Sequence, residues 1–297
     1  MSNLFQRTSS HWVKYSEYEY KTGGDGLLYI APAPEAKPTV YDPLIDGESI
    51  ALDALNVCML LIKKATDTEV KQVVLDFVSK YGLLGFMTAL PTTPQFMDYE
   101  AVYLPKNHFL KEETMSTKDY LAIYYPFSQP NFHKDNRTAR WSVRSDKEMQ
   151  ALAMTFADQS MAMSMSLQRE YAERYDWLVG QFRDWAFAFV TSFLYYEDYD
   201  SIDEITRDLY RQGLTAFGGI APTYRIALLE KPTIIWDFHS LLLGIQMMFS
   251  FMLVDEAKPL RCCKHCKNAF IAANSKVAFC DIRCKNQYNV YKTRNKK

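Results

Sequence analysis

Apolar residues recur at helical spacing over long parts of this chain. The clearest series begins at Asp67 and ends before Gly82, and its apolar positions are Val70, Val73, Val74, Phe77, Val78 and Tyr81. An i, i+3, i+4, i+7 pattern places these side chains on one face of a helix. It therefore predicts an amphipathic helix, with Gly82 as its C-terminal stop.

Four more stretches are predicted to be helical: from about Gly47, from Ser145 to Tyr196, from Asp203 to Phe217, and from about Trp236 to Val254. The last of them contains the most apolar run of the chain, 15 residues from Ser240 to Val254. A helix that spans a membrane needs about 20 apolar residues. We therefore interpret this run as a buried core helix.

Strand patterns are short by comparison. Tyr18–Tyr20 and Leu27–Ile30 flank the glycine-rich segment Gly23–Gly26, which predicts a β-hairpin. One further short strand is expected at Ala101–Leu104. The expected fold class is therefore mainly α, with a helical body over residues 1–257 and a small β element at about residues 15–45.

The charge distribution separates the last 40 residues from this body. The formal net charge of the whole chain is -1, but residues 258–297 contain eleven Lys and Arg against Asp281 alone. Eleven minus one leaves +10 there, and the other residues must carry -11. A dense cluster of cations points to a polyanionic partner such as nucleic acid.

Cysteines are concentrated in the same segment. Five of the six cysteines lie between Cys262 and Cys284, and the spacing C-x2-C-x13-C-x3-C suits a tetrahedral metal site. Four thiolates close the coordination shell, so one structural Zn²⁺ is expected. Its predicted ligands are Cys263, Cys266, Cys280 and Cys284.

Two neighbouring residues, Cys262 and His265, are alternative ligands at this site. Cys262 competes with Cys263 as the first ligand, but a two-residue gap to Cys266 is the usual spacing of a zinc knuckle. His265 lies inside that gap and is expected to be an exposed side chain rather than a ligand. Disulfides are disfavoured because stable ones are rare in the cytosol.

The residues around the ligands predict a treble-clef-like finger over residues 258–297. Phe270 and Phe279 are expected to stack across a short hairpin that turns at Ala273–Ser275. A helix then follows, in which Cys284, Tyr288 and Tyr291 share one stripe. This inner stripe is expected to pack against the metal. The exposed residues expected to contact nucleic acid are Lys285, Asn286, Gln287, Asn289, Lys292 and Arg294.

The finger resembles the C-terminal finger of bacterial CGNR-type zinc finger proteins. The resemblance rests on Cys263-x2-Cys266-x3-Phe270 and on Phe279-Cys280-x3-Cys284-Lys285-Asn286. It covers about 35 residues, and where the family has Cys-Gly-Asn-Arg this chain has Cys284-Lys-Asn-Gln287. The resemblance implies an α-helical body followed by a finger, in a DNA-binding transcription regulator.

These observations together predict a cytoplasmic, non-enzymatic, nucleic-acid-binding regulator, with DNA as the expected partner. The first ten residues lack the apolar core of a secretory signal, and no membrane partner is expected. The common catalytic motifs G-x-S-x-G, H-E-x-x-H and G-x-x-x-x-G-K-[ST] are absent from the sequence. The alternative function is a protein-interaction module, for example in a stress or phage-defence system, whose finger docks onto another protein.

Other polar segments are interpreted as structural. The basic loop from Lys134 to Arg144 is expected to be solvated, and the acidic cluster from Asp198 to Glu204 to cap helices. The methionines from Met149 to Met165 and the single His239 are expected to lie in the core.

Overall fold

The structure is a computed structural model, and it describes residues 8–9, 11–45, 47–63, 65–89, 100–104, 109–128, 165–197, 202–215, 223–228, 230–238, 240–255, 257–274 and 276–294. The helices are α1 (Gly47–Ile62), α2 (Asp67–Tyr81), α3 (Thr117–Tyr124), α4 (Tyr175–Glu197), α5 (Glu204–Thr215), α6 (Leu241–Leu253) and α7 (Ile282–Arg294). The strands are β1 (Thr8–Ser9), β2 (Trp12–Tyr15), β3 (Tyr18–Thr22), β4 (Leu28–Pro32), β5 (Pro38–Tyr41), β6 (Ala101–Tyr103), β7 (Thr114–Ser116), β8 (Glu173–Arg174), β9 (Thr223–Leu228), β10 (Pro232–Asp237), β11 (Leu260–Cys262) and β12 (Ala269–Ile271).

The prediction of a mainly α fold is wrong, because the chain is a mixed α/β protein. Within the described residues, twelve strands form five small sheets. Their strand orders are β1-β10-β9, β3-β4-β8, β2-β5, β6-β7 and β11-β12. The strands were underestimated because most have only two to five residues, too few for a period-two pattern to stand out.

The largest error lies before α6. A helix was predicted from about Trp236, but β9 and β10 form an antiparallel hairpin that continues to Asp237. Helix α6 begins only at Leu241, after Ser240, whose hydroxyl oxygen accepts a 3.1 Å hydrogen bond from the amide of Leu243. The stretch expected to be almost wholly helical up to Tyr196 is interrupted, within its described residues, by turns at residues 167–170 and by β8.

Several local predictions are confirmed. Strands β3 and β4 pair from Tyr18 opposite Pro32 to Thr22 opposite Leu28, around the expected glycine turn. Helix α2 has the predicted limits, and Gly82 follows it with φ +93°, a conformation that favours glycine. The strand predicted from Ala101 is β6.

The chain folds into two compact units. The first comprises residues 1–46, 74–179 and 222–244, and the second comprises residues 47–73, 180–221 and 245–297. The boundary predicted after residue 257 stays a prediction, which a truncated chain would test.

The first unit has an aromatic core with a carboxyl group inside it. Trp12, Tyr120 and Tyr171 are among its largest fully buried side chains. Glu173, which is 1% exposed, accepts hydrogen bonds from the backbone amides of residues 84–86 at 2.8, 2.5 and 3.0 Å. The hydroxyl of Tyr171 donates to the same carboxylate at 2.6 Å. Burial raises the pKa of Glu173, while these four hydrogen bonds oppose the rise.

The second unit has a core cluster of residues from separate helices and one strand. Its buried members are Leu55, Met59, Ala188, Phe189, Phe249 and Ala269. Leu260 and Cys262 of β11 pack against the same cluster. The strands of the predicted finger are therefore part of this core.

No helix in the described part of the chain is both long enough and apolar enough to cross a membrane.

Candidate metal centre

The first two predicted ligands lie in a tight turn between β11 and β12. The two strands pair from Leu260 opposite Ile271 to Cys262 opposite Ala269, so the connecting residues 263–268 must reverse the chain. The amide of Cys263 donates to the carbonyl of Asn268 at 2.9 Å, and the amide of Lys267 donates back to the carbonyl of Cys263 at 3.0 Å. This turn, here called the knuckle, is the tight turn expected from the sequence.

Lys267 ends the turn in a left-handed conformation, with φ 61°. No other described non-glycine residue has a positive φ. A side chain with a Cβ atom pays about 1–2 kcal/mol there. The turn therefore keeps its shape at a local cost to the backbone.

The other two ligands lie at the start of α7. Asp281 is its N-cap, because its carboxylate accepts a 2.7 Å hydrogen bond from the amide of Cys284. Cys280 immediately precedes the cap, and Cys284 lies in the first helical turn. The cap thus fixes both thiols on the side of the helix that faces the knuckle.

The four predicted ligands converge. The sulfur atoms of Cys263, Cys266, Cys280 and Cys284 all lie within 4.8 Å of one another, so this set can hold a metal ion. The Sγ atom of Cys280 lies 3.7 Å from that of Cys266 and 3.5 Å from that of Cys284. Four sulfurs bound to one Zn²⁺ at about 2.3 Å lie about 3.8 Å apart, and a disulfide needs about 2.05 Å. The donor set therefore fits zinc, and all six cysteines of the chain are free thiols.

Position relative to the other three thiols separates the two adjacent cysteines that competed for the first position. Burial opposes ionisation of Cys263, but amides of Cys280, Cys266 and His265 hydrogen-bond to its sulfur and lower its pKa to about 6. Burial raises the pKa of Cys262, which lies outside the converging set. The preference for Cys263 agrees with this geometry.

Helix α1 holds the knuckle from outside. The side-chain oxygen of Asn56 accepts a 3.1 Å hydrogen bond from the amide of Ala269. The ammonium of Lys63 donates to the carbonyl of Cys266 and to the side chain of Asn268, both at 2.8 Å. Sequence reasoning missed these two residues, because they lie more than 200 positions from their partners and carry no motif.

The interior of the finger differs in part from the prediction. Phe270 and Phe279 both pack against the cluster formed by Cys263, Ala272 and Cys284. The hairpin expected to turn at Ala273–Ser275 is not found in the described residues, because 276–281 contain no strand and β12 pairs with β11 instead, while Ser275 itself lies outside the described residues. Tyr291 was placed on the inner stripe, yet it is 56% exposed and stacks on His265 at 5.9 Å between ring centroids.

The outer surface of α7 carries the predicted nucleic-acid contacts. Cys284 is the buried residue of this helix, and Tyr288 is half-buried. The residues expected to contact nucleic acid are all exposed: Lys285, Asn286, Gln287, Asn289, Lys292 and Arg294.

Some interpreted segments fall outside the described residues. These are the basic loop from Lys134 to Arg144, Met149–Met163, Asp198, Asp200, His239, Lys296 and Lys297. Asp203 is described, and it caps α5, because its carboxylate accepts a 2.9 Å hydrogen bond from the amide of Thr206. That capping role is the one expected from the sequence.

Comparison of the chain with protein families, with curated proteins and with solved structures found no match.

Proposed function

We propose that the protein is a non-enzymatic regulator that binds nucleic acid, with DNA as the expected form, through α7. One structural Zn²⁺ on Cys263, Cys266, Cys280 and Cys284 would hold this helix. The observation that carries the proposal is the exposure of α7: all six predicted contact residues are open to solvent, and Cys284 is the buried residue of the helix.

The distribution of side chains around α7 supports insertion into a groove of DNA. Successive residues are about 100° apart around a helix. Lys285 and Lys292 then lie on one flank of the exposed surface, and Arg283 and Arg294 lie on the other. Asn286 and Thr293 lie between the flanks. Cations on both flanks can reach the two phosphate backbones that border a major groove, while an amide between them can reach base edges.

Charge arithmetic leaves the finger cationic after it binds metal. Residues 258–297 carry +10 before ionisation of the thiols, and four thiolates around Zn²⁺ subtract about two charges. About +8 remains, against -11 on the rest of the chain. The acidic remainder gives the chain no general affinity for polyanions, so contact with nucleic acid should concentrate on the finger.

The proposed compartment is the cytoplasm. A four-thiol zinc site needs reduced cysteines, and the cytoplasm keeps thiols reduced. In the proposed regulator the residues before the finger would respond to a signal or a partner.

A second candidate is docking of the finger onto another protein. It is favoured by three exposed apolar residues of α7: Ile282 at 65%, Val290 at 49% and Tyr291 at 56% exposure. Helices that dock into apolar grooves carry such residues on one stripe, at i, i+3 or i+4, and i+7. Ile282 and Tyr291 instead lie on opposite sides of α7, which makes nucleic acid the better supported partner.

Fluorescence anisotropy with labelled duplex DNA, single-stranded DNA and RNA tests the proposal on the full zinc-loaded chain. We expect micromolar or tighter binding at low salt, and at least tenfold weaker binding when Lys285, Lys292 and Arg294 are all changed to Gln. The matched control changes Lys21, Lys71 and Lys118, which lie outside the finger, to Gln. Absence of micromolar binding to every nucleic acid would reject this function in favour of protein docking.

A further inference from the structure

The β9–β10 hairpin of the first unit has one wholly apolar face. Cross-strand partners in an antiparallel pair lie on the same face of a sheet. The register pairs Tyr224 with Trp236, Ile226 with Ile234 and Leu228 with Pro232. These six side chains are here called the hairpin face.

The hairpin face is open to solvent. Tyr224 is 62% exposed, Ile226 69%, Leu228 83% and Ile234 52%. Pro232 is also exposed, and the half-buried ring of Trp236 contacts that of Tyr224 at 5.6 Å between centroids. Four large apolar side chains that are each more than half exposed, side by side, are unusual for a protein that acts alone.

On the opposite face of the hairpin, the described side chains are better covered. Thr233 and Ile235, which alternate with Ile234 along β10, are both half-buried. A sheet with one solvated face normally turns its polar side chains outward. Among the described side chains of this hairpin, those of the apolar hairpin face are the more exposed.

The size of the hairpin face sets what can cover it. A large apolar side chain buries about 150–250 Å² at most. With the exposures given above, covering the six side chains would remove roughly 600 Å² from solvent on each partner, or roughly 1,200 Å² in total. That total is the lower end of the range for specific protein interfaces.

We propose that the occupant is the hairpin face of a second copy of this chain, so that two copies associate across a twofold axis. None of the six side chains is charged, so the face offers no cation to a phosphate and no ion-pair partner to a charged peptide. The same property lets the face meet itself without any contact between like charges.

The order of side chains along the hairpin also suits a twofold arrangement. The Ile226–Ile234 pair lies at the centre, with the aromatic pair at one end and Leu228–Pro232 at the other. A twofold axis that lies between the two faces, runs across the strands and passes over the central pair sets the aliphatic end of each face on the aromatic end of its mate. Large planar rings then lie against small aliphatic groups, and both ends are covered.

Salt separates this association from binding of nucleic acid. Each full chain has a formal net charge of only -1, so long-range repulsion between two copies is small. Added salt leaves the burial of uncharged apolar side chains in place. Self-association should therefore persist as salt rises, whereas contact with phosphates weakens.

Sedimentation velocity of the full zinc-loaded protein tests the proposal, at about 1 to 200 μM protein and at roughly 50 and 300 mM salt. We expect the mass to rise from one chain to two within this range at both salt concentrations. Ile226→Lys should raise the dissociation constant at least tenfold, because it places two like charges near the twofold axis. Circular dichroism checks that the variant is folded, and the 69% exposure of Ile226 predicts that it is.

The matched control is Ile45→Lys, which makes the same change at a residue that is 79% exposed and outside the hairpin face. It should associate like the unmodified chain. A mass of one chain at every concentration would overturn the proposal. So would association that Ile226→Lys and Ile45→Lys leave equally strong. Neither result would touch the proposed binding of nucleic acid, which uses a different element and weakens as salt rises.

Discussion

Two regions, the finger and the loop of residues 84–86 that binds Glu173, are each held by polar atoms that converge on one centre. The residues that converge are close together in the sequence in the first region and far apart in the second. In the finger, the four thiols come from 22 consecutive residues, Cys263 to Cys284. At Glu173, the carboxylate binds amides that lie 87 to 89 positions away. The first arrangement is visible as a spacing pattern, and the second has no pattern at all.

The two regions also differ in where their stability comes from. The buried cluster of the finger has four members, Cys263, Phe270, Ala272 and Cys284, and two of these are ligands. A metal can supply about 10–16 kcal/mol to such a small module. Glu173 instead lies among large buried aromatic residues, where hydrophobic burial and satisfied hydrogen bonds provide the stability.

Loss of a single thiol should have the largest effect. We expect Cys263→Ser, Cys266→Ser, Cys280→Ser and Cys284→Ser each to abolish stable zinc binding and to unfold the finger, because three thiolates leave the coordination shell open. Metal analysis of the purified protein should fall from one zinc per chain to near zero. Cys262→Ser is the matched control and should keep the metal. Full zinc occupancy in Cys280→Ser would show that the ligand set is wrong.

Loss of the buried carboxylate of Glu173 should have the second-largest effect on stability. In Glu173→Gln, a side-chain NH₂ group replaces one oxygen that accepts backbone N–H groups, so at least one buried amide loses its partner. We expect the free energy of unfolding of the first unit to fall by about 3 kcal/mol, measured by urea denaturation with tryptophan fluorescence. Glu19→Gln, at a partly exposed ion pair with Lys21, should cost less than about 1 kcal/mol.

The zinc content of Glu173→Gln should stay at one per chain. A loss of metal in this variant would mean that the two regions are not independently stabilised, and the comparison between them would fail.

Removal of the contact between α1 and the knuckle should destabilise the protein less than loss of a thiol or of the Glu173 carboxylate. Asn56→Ala removes the acceptor for the amide of Ala269, a buried residue, and we expect about 1–2 kcal/mol of lost stability. Hydrogen exchange of the β12 amides should accelerate, while zinc content stays unchanged. Unchanged exchange in β12 would show that the hydrogen bond contributes nothing to holding the finger.

The smallest expected effect is a gain in stability. Lys267→Gly removes the cost of the left-handed conformation, so the zinc-loaded finger should become more stable by up to about 1 kcal/mol in thermal unfolding. Lys264→Gly, which removes the same charge at a residue without a positive φ, should instead destabilise the turn. If both variants are destabilised alike, the left-handed conformation of Lys267 carries no cost.

The same contrast explains what the sequence could predict. Helix α2, the β3–β4 hairpin and the ligand spacing were predictable, because each depends on residues close together in the chain. The end of the β9–β10 hairpin was missed because Trp236 was assigned to the apolar helix that follows it. The strand partner of β12 was misassigned for a related reason, since the turn chosen at Asn274 was as plausible locally as the knuckle.

Contacts between distant segments could not be predicted. Asn56 and Lys63 looked like ordinary surface residues of a helix until the fold brought the knuckle to them. The stacking of Tyr291 on His265 was missed because both side chains were assigned from helix periodicity or motif position alone.

The central claim is that α7 binds phosphates, and the salt dependence of duplex DNA binding tests it most directly. Each phosphate contact should add about 0.9 to the slope of log affinity against log salt. For contacts by Lys285, Lys292 and Arg294 we expect a slope of about -2.7 or steeper, and changing all three to Gln should reduce it by that amount with zinc content unchanged. A shallow slope that the triple variant does not alter would contradict the claim.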